Sequence, residues 1–432
     1  MIQKSAFYKI YSVNQAYITT WSKDVISEPE IRTVINGGAG ELKIQLGRPY
    51  DNFGEGLDVA LQNRVELWIA DGDNTQNNLS AITYWDTAIW DTDYWDNAIQ
   101  SFIKIYTGYI SAYSPVLNDE KQTIDITVLG FTSEAAKRVI RDGSGNTTIA
   151  YNSYDPGAIM RSIIDLYRAD GGTNINYLGN SISLTNSVVS YTFNNNTLKE
   201  CLDKVVELCP EGWFWYMDAN GIVNLKKQSE TADHQVTIGK DINLMQTNKR
   251  IENMINVVYL IGGGTPPLFN RYIRQTSVNT YGKFESKITD GRVIDTTTAN
   301  IMAKAVLDRY DTPETRSVIR IVDNNGNDRD QGQNIESYYV GDTVQVKNLN
   351  YGSTSYSKWD VSLWDTDVWD ATLQYSQADI MVIVSIKYKL DSIEIEASSR
   401  LPEVTKRIED IKRNMDTLAQ ENLPTAPISS SI

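Results

Sequence analysis

The sequence predicts a mainly β protein with an α+β middle region: two similar antiparallel β-barrel-like domains, helix-and-hairpin modules, and a short C-terminal helix. Three observations carry this. Period-two alternation clusters in two places, within residues 1–135 and within 239–400, whereas 136–238 turns to helical spacing. One unusual phrase occurs twice, YWDTAIWDTDYWDNAIQ at 84–100 and KWDVSLWDTDVWDATLQ at 358–374. Trp85, Trp90 and Trp95 are matched by Trp359, Trp364 and Trp369 at a constant offset of 274, and nine of the sixteen positions from Trp85 to Gln100 are identical, which chance does not explain.

In the first domain, AGELKIQLGRP alternates Leu42, Ile44 and Leu46, NRVELWIAD alternates Val65, Leu67 and Ile69, and KIYTGYISAY and TIDITVLGF continue the pattern. Alternation puts the apolar set on one face, so these are half-buried antiparallel strands with the first Trp-Asp insert (about 81–100) between them. In 136–238, DPGAIMRSIIDLYRADGG sets Ile159, Ile163 and Leu166 at helical spacing behind an Asp155-Pro156 start, and two glycines stop it. NNTLKECLDKVVELCPEG carries Leu198, Leu202, Val205, Val206 and Leu208 as a second stripe and runs into WFWYMDANGIVNLKK, where DANG is a hairpin turn. The second β-domain, 239–400, contains an inserted α/β segment with the strand NVVYLI and a helix in TTTANIMAKAVLDRYDTPE, on which Ile301, Ala305 and Leu307 lie ahead of Pro313. VGDTVQVKN precedes the second Trp-Asp insert (about 357–376) and ADIMVIVSIKYKLDSIEIEAS follows it. Both inserts thus follow one order of strand, insert, long strand, turn, strand, as duplicated domains would. In 401–422, Leu401, Val404, Ile408, Ile411, Met415 and Leu418 are spaced 3, 4, 3, 4, 3, a heptad seam that forms either a coil with other copies or a helix packed on its own domain. Residues 423–432 are a flexible Pro- and Ser-rich tail.

A chain of 432 residues exceeds one hydrophobic core. Tyr (25) and Trp (10) outnumber Phe (8), and rings with a polar tip suit half-buried strands and interfaces. A net charge of -15 argues against an electrostatic grip on nucleic acid or an anionic membrane, while an acidic wall would keep passing DNA from sticking. A helix rise of ~1.5 Å per residue holds Cys201 and Cys209 ~12 Å apart, beyond disulfide reach, so buried reduced thiols are expected. No secretory segment follows Met1, and no apolar run approaches the ~18 residues of a membrane span, so folding in a cytoplasm is expected.

Chemistry is sparse. The single histidine, His234 in SETADHQ, reads as a solvated loop residue. GGGTPP at 262–267 lacks the Lys-Ser/Thr pair and following helix of a phosphate loop and reads as a glycine turn. DNNGNDRDQG at 323–332 has its glycine misplaced for a calcium loop and no closing glutamate, so it reads as a polar hairpin. Glu28/Glu30 and Asp91/Asp93 are acidic pairs, but a glycosidase needs its carboxyls ~5 to 9 Å apart across a cleft, which spacing in sequence does not specify. No enzyme activity, cofactor or metal is expected. The Trp-Asp phrases have a period of five, which fits neither a helix face nor a strand face, so they read as irregular loops in which Asp caps the backbone and the indole is left to anchor. Their six indoles form a contact surface for a partner or neighbouring domain, a lid on their own domain, or a platform for sugar rings.

Several stretches, in this order, resemble the tail hub or baseplate hub proteins of tailed bacteriophages and related contractile injection systems. They are GGAGELKIQL with NRVELWI and IYTGYISAYSP, then TLKECLDKVVELCPEGWFWYMDANGIVNLKK, then INVVYLIGGG, YGKFESKITDG and ANIMAKAVLDRY, and finally VGDTVQV. The resemblance spans roughly residues 1–400 and rests on the order of loose motifs. It implies a homotrimer with two similar β-domains per chain, six in a pseudo-sixfold ring around a channel. The expected role is a structural virion component joining the sixfold tail tube to the threefold tail tip. Its expected partners are a distal tail or tail tube protein and a tail tip or fibre protein, with DNA passing through the channel unbound. Its expected place is the virion tail, assembled in the bacterial host cytoplasm. Longer relatives carry C-terminal lysin or receptor-binding domains; this sequence ends at Ile432, so those roles are not expected. The alternative is a carbohydrate-binding tail adhesin that uses the Trp-Asp loops.

Overall fold

The computed structural model describes residues 6–22, 24–47, 58–70, 102–117, 122–237, 241–322, 333–347, 380–390 and 392–401. Trp85, Trp90, Trp95, Trp359, Trp364 and Trp369, the loop at 323–332, Asp91/Asp93, and the seam positions Val404, Ile408, Ile411, Met415 and Leu418 lie outside the described residues.

Seven strands come first: β1 (Ala6–Tyr11), β2 (Tyr17–Trp21), β3 (Ile31–Val34), β4 (Ala39–Leu46), β5 (Arg64–Ala70), β6 (Phe102–Leu117) and β7 (Gln122–Gly130). They hydrogen-bond in the order β3-β4-β7-β6-β5-β1-β2. The alternating residues are the buried ones: Leu42, Leu46, Val65, Leu67 and Ile69 are inaccessible to solvent, and with Trp21, Tyr106 and Ile126 they form one core.

The helical region follows, with α1 (Phe131–Ala135), β8 (Thr148–Tyr154), α2 (Pro156–Ala169), β9 (Val189–Asn194), α3 (Leu198–Glu207), β10 (Trp213–Met217) and β11 (Val223–Lys227). α2 starts where Asp155 accepts the Gly157 N–H and Pro156 occupies the first turn. α3 starts in a reciprocal cap between Thr197 and Glu200, worth about 1 kcal/mol. DANG makes the turn of the β10–β11 hairpin, where Gly221 adopts a φ of 75° and its N–H donates to Asp218 O.

β12 (His234–Thr237) and β13 (Ile242–Arg250) open a second strand set. It is interrupted by β14 (Val257–Gly262), β15 (Phe269–Ile273), α4 (Gln275–Tyr281), β16 (Glu285–Asp290) and α5 (Thr296–Tyr310), and completed by β17 (Glu314–Val322), β18 (Thr343–Lys347), β19 (Met381–Tyr388) and β20 (Ser392–Ser398). The interrupting segment packs with α2 and α3 into a core of its own, so the helical body is built from two separate stretches of chain. The second strand set has a third core around Ile319, Val344, Val382 and Ile395. Among the described strands, pairing is antiparallel except for β12 with β18 and β14 with β16, which are parallel, and isolated parallel bridges join Gly37 to Tyr216, Asn176 to Ile222 and Ile182 to Leu225, features the alternation pattern does not encode.

β3 belongs to both strand sets. One edge pairs with β4 and the other with β19, on the side of β19 that also carries β18, so thirteen strands form one continuous sheet.

Candidate assembly surface

Five strands of each set match in order and register, while β1 joins β5 antiparallel and β12 joins β18 in parallel. β3-β4-β7-β6-β5 of the first corresponds to β13-β17-β20-β19-β18 of the second. Ile110, Tyr113 and Pro115 of β6 lie opposite Val128, Ile126 and Ile124 of β7. Ile383, Ile386 and Tyr388 of β19 lie opposite Ala397, Ile395 and Ile393 of β20. Each long strand carries one extra residue at the same point, Ser111 and Val384, where the register shifts. β5 and β18 each pair antiparallel with the long strand that follows, so the segments bearing Trp90 and Trp364 connect equivalent pairs of strands.

The seam between the sets is held on both sides of β3. The Ile35 N–H donates to Val384 O at 2.9 Å, while the Val34 N–H turns the other way to Gly38 O at 3.3 Å. Arg32 pairs with Glu396 at 3.3 Å and Lys387 with Glu30 at 2.8 Å across the seam, so Glu30 of the acidic pair Glu28/Glu30 serves as a strap. The turn after β3 is clamped by β10. Asn36, at a φ of 52°, donates its N–H to Trp215 O (2.8 Å) and accepts the Trp215 N–H at Oδ1 (3.1 Å), and the Met217 N–H donates to Gly37 O at 2.8 Å. The Trp215 indole N–H donates to Asp203 Oδ1 at 2.9 Å. Burial pushes the Asp203 carboxyl up, against the pull of Lys199 and the indole.

On the face opposite the cores, Glu41, Lys43, Asp125, Arg316, Glu394 and Glu396 stand at the alternate positions of neighbouring strands. Arg316 reaches Glu396 at 3.5 Å, and the Gln45 side-chain amide donates to Asp125 at 2.7 Å. Among the described residues this face carries both signs.

His234 is not the solvated loop residue its turn-like context predicts. It opens β12, its Nε2 is 3.0 Å from Asp342 Oδ2, and its ring stacks on Tyr338 at 3.9 Å between centroids. β12 pairs in parallel with β18, which brings Asp342 within reach from 108 residues away, a long-range contact that the local sequence does not announce. Cys201 and Cys209 are both buried and free, and burial pushes both thiols up. GGGTPP is a turn in which the Gly262 N–H donates to Leu268 O and the Gly263 N–H to Val293 O. Leu401, the first position of the heptad seam, is 1% exposed and packs in the second strand set's core. Among the described residues no three His, Cys, Asp or Glu gather to hold a metal ion, and no helix is long and apolar enough to cross a membrane.

No family model matches the chain, and no curated protein matches it by sequence. Solved structures do match over nearly the whole length. The prophage MuSo2 43 kDa tail protein from Shewanella oneidensis aligns with a TM-score of 0.54 at 11% identity, over 91% of this chain and 98% of that one. Prophage tail protein gp18 from Listeria monocytogenes EGD-e aligns with a TM-score of 0.54 at 11% identity, over 95% of this chain and 100% of that one. A tail protein from Neisseria meningitidis MC58 aligns with a TM-score of 0.50 at 8% identity, over 91% and 96%. The chain therefore has the fold of prophage tail proteins.

Proposed function

We propose that the chain is a structural component of a bacteriophage tail, a homotrimeric hub in which two duplicated β-domains per chain, 1–135 and 239–400, make a ring of six around a channel. The observation that carries this reading is the matched order and register of the two strand sets within one continuous sheet. Three copies of a chain with two equivalent units present six equivalent surfaces to a sixfold partner and three to a threefold one. The shared fold with prophage tail proteins supports a place in the virion tail, between a tail tube or distal tail protein and a tip or fibre protein. A polar face of mixed sign suits a wall along which DNA passes without a grip. Negative-stain images of the purified chain test this. Ring-shaped particles with threefold symmetry are expected; single compact particles that bind a sugar array would replace the hub with the adhesin.

A further inference from the structure

We infer that the segment after Leu401, which carries Val404, Ile408, Ile411, Met415 and Leu418, folds back as a helix into the cleft between α3 and α5 of its own chain, antiparallel to α5. The docking concerns one chain and does not depend on how many copies assemble.

The cleft has the shape a helix needs. Its volume is about 680 Å³. α3 lines it with Glu200, Asp203, Lys204 and Glu207, and α5 with Met302, Ala305, Val306 and Arg309, so each helix presents one stripe at positions i, i+3, i+4 and i+7. Two such stripes bordering one space make a groove that a third helix fills. On the α5 wall Met302 and Ala305 are buried and Val306 is half-buried, an apolar surface for an apolar seam. Lys204 and Arg292 are held by Asp290 at 2.8 and 3.1 Å, and Arg309 by Glu211 at 3.2 Å, so these cations of the cleft are already paired.

The described chain ends beside this cleft. The Ser399 N–H donates to Thr315 O at 2.8 Å, and the Arg400 guanidinium donates to Arg309 O at 3.3 Å and Thr312 O at 3.1 Å. These contacts tie the chain to the C-terminal end of α5 just before Leu401. Pro402, with no N–H to lose, and Glu403 suit the first turn of a helix that starts there. Residues 402–418 rise about 25 Å as a helix and α5 rises about 22 Å, so the two are matched in length.

The spacings agree in reverse order. Val404, Ile408 and Ile411 are separated by 4 and 3, and so are Arg309, Ala305 and Met302. A helix that starts at the C-terminal end of α5 therefore sets Val404 against the Arg309 stem, Ile408 against Ala305 and Ile411 against Met302. Charge agrees as well. Arg407 flanks the seam on one side and Lys412 on the other, so a basic residue faces Glu200 and Glu207 whichever side is turned to α3. An isolated helix of this length is marginal in water, and fewer than three heptads are too short for a stable coil by themselves, so the seam needs a groove of this kind.

Paired cysteines provide the test. Facing positions on packed helices come within about 7 Å between Cα atoms, which a disulfide spans. In the full chain, Ala305→Cys/Ile408→Cys, oxidised in solution, should close a disulfide within one chain, seen as a faster band on a non-reducing gel and as the linked peptide pair by mass spectrometry. Met302→Cys/Ile411→Cys, further along the same register, should do the same. Lys304→Cys/Ile408→Cys should not, because Lys304 is exposed on another side of α5. Circular dichroism of the reduced variants checks that they fold, and the native Cys201 and Cys209 are buried away from the new thiols. No link, a link formed equally by the Lys304 pair, or links between chains in place of the link within one would each overturn the docking. Hydrogen exchange reads the wild-type chain without any substitution: the amides of 404–415 should be slowed, and exchange at the rate of an unfolded chain would overturn the docking too.

Discussion

Glu314 and Asn36 show how single side chains fix the strand sets. The Glu314 side chain is 6% exposed, lies 2.6 Å from Arg316 Nε and 3.4 Å from Arg400, and accepts the Ser398 hydroxyl at 3.1 Å. Burial pushes its carboxyl up, but the hydrogen bond and charge of Arg316, with Arg400 and Ser398, outweigh that and hold it below the usual range. A carboxyl depressed in the folded state stabilises fully above its unfolded pKa of about 4.3, and that stability is lost as pH falls through the lower folded value. Urea denaturation between about pH 6 and about pH 3 should therefore show a steeper acid loss for the wild type than for Glu314→Gln. Equal slopes would mean that Glu314 is not held as described. Asn36→Ala should cost about 1–3 kcal/mol through the lost acceptor for the Trp215 N–H, and more for a side chain that resists positive φ. Asn36→Gly keeps the backbone freedom and should cost less; an equal cost for the two variants would assign the whole effect to the hydrogen bond.

At the scale of elements, the sequence was legible wherever one face of a strand or helix is buried. Leu42, Ile44 and Leu46, or Leu198, Leu202 and Val205, announce their elements because burial imposes the period. Short strands such as β3 and β12 were not legible. Four residues hold too few periods, and both owe their existence to partners far along the chain, β19 for one and β18 for the other. The same reason hid His234, whose partner Asp342 comes with β18. The repeated Trp-Asp phrase is the one sign of a contact surface that the sequence offers, and its residues lie outside the described ones. For the phrase itself, the equivalent connections of the two inserts favour one kind of contact made by both. Replacing Trp90 and Trp364 with Ala should leave circular dichroism near native while lowering incorporation into tails, because an anchoring indole is worth about 2 kcal/mol or more at an interface. Unfolding of the double variant would assign the indoles to a lid on their own domain, and normal tails that no longer adsorb to cells would assign them to sugar.

For the whole molecule, the central claim is that one chain is two-sixths of a ring. The three cores make this possible: two strand sets with their own interiors are joined through β3, while the helical body clamps the turn beside that joint through Asn36 and Trp215. A joint braced in this way holds the two strand sets at one fixed angle, as the proposed ring would require. Leu401, the first position of the heptad seam, is already used by the second set's core. The most direct measurement is the mass of the full chain by sedimentation equilibrium over a wide range of concentration. The account predicts a species of three chains that persists on dilution; a monomer throughout, or an assembly whose chain number is not a multiple of three, would contradict it.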